Sequence, residues 1–145
     1  MPGERVIVRQ DRAFETKFLV FDLRGAPAAG ARSVVHLQEL TPYGMLLVSL
    51  GACTAIVLQT YAQHHELSLD RVELRLRYDR VFAKDCEDCE KIKEYEDTVD
   101  LEIVLQGDLT LEERERLLLV SRHCPIHKML AAGIPVQLQL AQGPV

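Results

Sequence analysis

At 145 residues the chain has the size of one domain, expected to span 1–145, and is long enough to bury roughly 70% of its unfolded surface. Apolar residues make up 48% and charged residues 27%, the balance of a folded globular protein rather than a disordered one. The formal charge of −5 speaks against a nucleic-acid surface, where clustered lysine and arginine are expected.

Met1-Pro2-Gly3-Glu4-Arg5 lacks the charged-then-apolar pattern of a secretory signal, which points to the cytoplasm. In that reducing setting the four cysteines are expected to be reactive or metal-binding rather than structural disulfides. Arg5–Arg9 and Phe14–Leu23 read as two strands joined by Gln10-Asp11-Arg12, the second rich in aromatic and β-branched residues. The Gly- and Pro-rich stretch from Gly25 to Gly30 is a loop, and Ser33–Leu37 a short strand.

Thr41 fits an N-cap and Pro42 the first helical position, opening a helix to about His65. Pro42–Gln63 carries no charge and is long enough to cross a bilayer. Its Ser49, Thr54, Gln59 and Thr60, and its isolation in the chain, favour a central buried helix with no membrane. Such a helix is apolar on nearly every face and needs cover all round. The chain has little material for that, so the pattern favours a dimer in which two such helices pack together.

Leu67–Ala83 alternates as a long strand, Val72, Leu74, Leu76 and Tyr78 against Arg71, Glu73, Arg75 and Arg77. The basic residues of Arg71–Arg80 are interrupted by Glu73 and Asp79 and read as a solvated strand face. Asp85–Tyr95 is a charged excursion, and Thr98–Gln106 a further strand ended by Gly107-Asp108. Thr110 with Glu113 makes a capping box for a helix to about Arg122, with Leu111, Leu117, Leu118 and Val120 as its buried stripe. Pro125–Ala132 is a short helix stopped by Gly133, and Ile134–Ala141 a final strand. The order implies an α+β fold with mostly antiparallel pairing.

Two cysteines carry the chemical interest. Cys124 precedes Pro125 and so falls at a helix N-cap, where free N–H groups, Arg122, His123, His127 and Lys128 favour a thiolate. Cys53 lies in the apolar helix, where burial raises a thiol pKa unless a cation arrives from elsewhere in the fold. Cys86 and Cys89 form the C-x-x-C Cys86-Glu87-Asp88-Cys89, flanked by Asp85 and Glu90. This tip of a β excursion is read as lacking chemistry, with half a metal site or a redox motif as alternatives. His64 and His65 close the long helix as cations suited to its C-terminus. Phosphate-binding glycine loops, G-x-S-x-G and H-E-x-x-H are absent from the sequence, and no cofactor is expected.

Thr41-Pro42-Tyr43, Leu46-Leu47 and Leu50-Gly51-Ala52-Cys53-Thr54-Ala55 together resemble the first cysteine motif of the OsmC/Ohr family. Arg122 with Cys124-Pro125-Ile126-His127 resembles the second. The segment from Ala83 to Glu90, and Leu105-Gln106-Gly107-Asp108-Leu109, resemble one OsmC-like branch. The resemblance spans nearly the whole chain and implies an intertwined homodimer, its two long central helices buried between sheets. It implies reduction of organic hydroperoxides, with Cys53 as the peroxidatic thiolate, Cys124 as the resolving thiol and an external dithiol as reductant. It also implies an arginine held by a glutamate to activate Cys53. The family commonly carries that glutamate two residues after the proline, where this chain has Gly44. Arg32 and Glu39 are the candidates for the activating pair. Gly44 keeps a second reading open, a small-molecule binding protein on the same scaffold with weak or no peroxidase activity.

Overall fold

The computed structural model describes residues 4–21, 30–82 and 95–143. Among these, alternating side chains build five antiparallel strands: β1 (Glu4–Asp11), β2 (Thr16–Phe21), β3 (Ala31–Val34), β4 (Leu69–Phe82) and β5 (Tyr95–Gly107). They form one sheet in the order β3-β2-β1-β4-β5. Val8 sits opposite Phe18 on one side and Leu74 on the other, and Leu74 opposite Ile103. This register puts Val6, Val8, Val72, Leu74 and Leu76 on one buried face.

The strand expected from Phe14 begins at Thr16 instead. The Asp11 carboxylate accepts from the N–H groups of Ala13 and Glu15 and holds a turn there, with Phe14 at φ 62°. The strand expected to reach Leu37 stops at Val34, because Leu37–Glu39 form a 3-10 turn. The Glu39 carboxylate locks that turn by accepting from Val35 and His36 N–H.

Helix α1 (Pro42–His64) begins as expected, with the Thr41 hydroxyl accepting from Gly44 N–H at 3.1 Å. One flank lies on the sheet, where Leu47, Leu50, Ala55 and Leu58 are buried against the β1–β4 surface. Gly51 sets how close the two layers come. A Cβ there would lie 2.7 Å from Val8 Cγ2 and 2.8 Å from Leu76 Cδ1. The other flank is open to solvent: Tyr43, Met45 and Ile56 are each at least 40% exposed.

Helix α2 (Leu111–Val120) starts on the expected capping box, tightens into a 3-10 turn at Ser121–His123, and is followed by α3 (Pro125–Ala132). Both helices pack on α1. The Arg114 guanidinium donates to the Leu105 and Gly107 carbonyls, tying α2 to the end of β5. The expected apolar stripe of α2 is narrower than its sequence pattern. Leu117 is buried and Val120 half-buried, whereas Leu111 and Leu118 face solvent.

The expected final strand, Ile134–Ala141, is not a strand. The segment pairs with no other strand, and Ile134, Val136, Leu138 and Leu140 are 62–96% exposed. A strand requires a neighbour to satisfy its N–H and C=O groups, and none of the described strands offers one here.

Gly51→Val should destabilise the fold by about 2 kcal/mol or more, since its methyl groups have no room at the helix–sheet contact. Gly44→Ala, whose Cβ would meet only contacts of 3.5 Å or longer, should be neutral or stabilising. Urea unfolding of both variants checks this contrast. Equal stability of the two would show that the close approach at residue 51 is not limiting.

Candidate functional site

Packing of α2, its 3-10 extension and α3 onto α1 brings the two sequence-distant cysteines together. Ser121 is buried, its hydroxyl donating to the Leu118 carbonyl, and it turns the chain so that Cys124 points inward at the start of α3. Cys124 is fully buried and is the N-cap residue of α3, as its place before Pro125 implied. Cys53, on the flank of α1 beside it, is partly exposed. Cys124, which the sequence places at a helix start suited to a thiolate, is thus sealed, while Cys53, expected to be buried in the apolar helix, reaches the surface. Both are free thiols.

The surroundings of Cys53 push its thiol above the ordinary 9.0. Burial is the largest cause, and the neighbouring Cys124 thiol adds to it. The backbone N–H of Ile126, in the first turn of α3, acts in the opposite direction. This N–H was not singled out from the sequence. Pro125 at the first helical position was its signal, because N–H groups of a first turn have no intrahelical partner. No cation acts on Cys53 among the described residues. Arg122, His123, His127 and Lys128 all face solvent.

Arg32 and Glu39 do meet. Arg32 Nη1 lies 3.3 Å from Glu39 Oε1, just before α1. Glu39 titrates below its ordinary 4.5, chiefly because the N–H of His36 and then that of Val35 donate to it, with Arg32 a lesser contributor. The sequence-selected residues thus form two groups in the chain, Cys53 with Cys124 and Arg32 with Glu39, and Arg32 is not among the groups that shift Cys53. Gly44 lies at the entrance of α1 beside Leu40 and Thr41. Cys86 and Cys89 fall outside the described residues. No cluster of three or more His, Cys, Asp or Glu side chains able to hold a metal occurs among the described residues.

Depression of the Glu39 pKa means that its contribution to the 3-10 turn is present above about 4.5 and is lost as pH falls through the lower, folded value. Since the backbone donors lead, Arg32→Ala should leave the Glu39 carboxyl titrating below 4.5, as followed by its carbon-13 shift. A midpoint back at 4.5 would show that Arg32 dominates.

The family model described as "OsmC-like protein" matches residues 36–139. Among solved structures, a crystal structure titled as an OsmC-like hydroperoxide resistance protein from Jannaschia sp. CCS1 superposes with a TM-score of 0.62. It covers 100% of this chain and 97% of its own, at 13% sequence identity, a likeness of fold. No curated protein matches the sequence.

Proposed function

The chain belongs to the OsmC family, and we propose that it reduces organic hydroperoxides through Cys53 and Cys124. The observation that carries this reading is the meeting of those two thiols, one partly exposed and one sealed beneath it. An accessible thiol suits attack on a peroxide, and a sheltered neighbour suits resolution before further oxidation. In the first step the Cys53 thiolate attacks the terminal peroxide oxygen and the O–O bond breaks. The alkoxide takes a proton and leaves as alcohol, and Cys53 becomes a sulfenic acid. The Cys124 thiol then forms an S–S bond with Cys53 and water departs. An external dithiol of the reducing cytoplasm gives up two electrons and two protons to restore both thiols.

The active unit of this reading is a homodimer. Its support is the solvent-facing flank of α1 and the unpaired segment 134–141, with Ile134, Val136, Leu138 and Leu140 spaced for one face of a strand. A second copy offers both a cover for α1 and an edge for that segment. Assembly would also bring an Arg32 guanidinium, held by Glu39, within reach of Cys53 and lower its pKa.

The raised pKa of Cys53 and the lack of a cation beside it among the described residues favour a second reading, a small-molecule binding protein on this scaffold. Alkylation separates the two. The peroxidase reading predicts that iodoacetamide reacts with Cys53 half-maximally below pH 9, and that Arg32→Ala moves this midpoint upward. The binding reading predicts a midpoint above 9 in both proteins.

Cys53→Ser should abolish turnover of cumene hydroperoxide with a dithiol reductant. Cys124→Ser should allow one oxidation per chain and slow recycling. Full turnover by Cys53→Ser would end the proposed mechanism. Truncation after Gly133 should convert a dimer to monomers by light scattering, and a wild-type monomer would remove the homodimer.

A further inference from the structure

The face of the sheet turned away from α1 carries an open groove of about 820 Å³, within the range of small-molecule sites. It is lined by alternating outward residues of β1, β4 and β5 together with Phe21 at the end of β2. The sequence reads the β4 portion as a solvated, charge-balanced face, and for most of its arginines that is what the structure gives. Arg9 and Arg75 both hold Glu73, and Arg77 holds Asp79 and Asp100 at 3.0 and 2.8 Å.

Arg5 differs. It lies directly opposite Arg77 across the β1–β4 pair, but the two carboxylates that meet the Arg77 charge do not pair with Arg5. No carboxylate pairs with it among the described residues. Instead its guanidinium stacks over the Phe21 ring, 4.7 Å from the centroid. The ring occupies one face of the guanidinium and, among the described residues, leaves its N–H edge undedicated, and so limits the conformations it must lose on binding. Beside it, Ile7 is half-buried and, with Phe21, gives the groove an apolar strip. Of the carboxylates that line the same groove, Glu73 and Asp100 are paired with arginines, and Glu102, 3.9 Å from Arg75, is the least compensated and would disfavour a ligand with more than one negative charge.

We propose that this groove binds an amphipathic monocarboxylate, with the carboxylate accepting from Arg5 and the hydrocarbon chain lying along Phe21 and Ile7. The ligand gives Arg5 a carboxylate partner, covers the apolar strip, and carries no second charge for Glu102 to oppose. The site lies across the sheet from Cys53 and Cys124 and stands independently of the peroxide chemistry.

Decanoate, titrated by calorimetry and by amide shifts of the isotope-labelled full chain, tests the proposal. One decanoate per chain should bind saturably, with the largest shifts at Arg5, Ile7 and Phe21. Arg5→Ala should weaken binding at least tenfold, and Arg5→Lys by less, since it keeps the charge and loses the fork. 1-Decanol and decyl phosphate should each bind at least tenfold more weakly than decanoate. Cys53→Ser should leave decanoate binding unchanged whatever it does to peroxide turnover. Unchanged affinity in Arg5→Ala, equal binding of 1-decanol or decyl phosphate, shifts confined to α1, or no saturable binding at millimolar decanoate would each overturn the proposal.

Discussion

Close contact between the backbone of α1 and the sheet is the constraint on which the rest of this molecule depends. It exists because residue 51 has no side chain: Val8 and Leu76 occupy the space that a Cβ would need. Interiors are close-packed, so a helix standing further off would leave a void along the whole β1–β4 surface. With α1 seated there, Leu47, Leu50, Ala55 and Leu58 fill the core, and Cys53, two residues beyond Gly51, is carried on the neighbouring flank.

That flank is where the C-terminal half of the chain docks. The capping box at Thr110, the buried Leu117 and the turn at Ser121 fix the path into α3, and the path determines where Cys124 points. The result is a thiol pair made by tertiary packing. Burial and the second thiol oppose ionisation of Cys53, while the Ile126 N–H favours it. A peroxidatic thiolate at neutral pH therefore calls for a positive group from outside this arrangement. The Arg32–Glu39 pair, already formed at the entrance to α1, is the proposed source.

Local chemistry was legible in the sequence, and non-local balance was not. Thr41-Pro42, Thr110 with Glu113, and Cys124-Pro125 each specify a helix start through hydrogen bonds within a few residues, and each start is where the sequence places it. Alternation in β4 and β5 gave their inward faces, buried in β4 and half-buried in β5, because successive side chains of a strand point to opposite sides. By contrast, Leu111 and Leu118 have apolar side chains but are mostly exposed, and periodicity alone does not reveal what covers a face. Segment 134–141 has a strand pattern without a strand to pair with. That Cys124 is sealed and Cys53 partly exposed depends on how α3 folds back over α1, which neither local sequence contains. The opposition of Arg5 and Arg77 likewise arises from strand register.

The central claim is that the two thiols which the fold brings together act as one redox unit. Mass spectrometry of the fully reduced protein after one equivalent of cumene hydroperoxide, with peptide mapping of disulfides, tests it most directly. The account predicts rapid formation of a single Cys53–Cys124 bond, with Cys86 and Cys89 still reduced. Four free thiols, or a disulfide that omits Cys53, would contradict it.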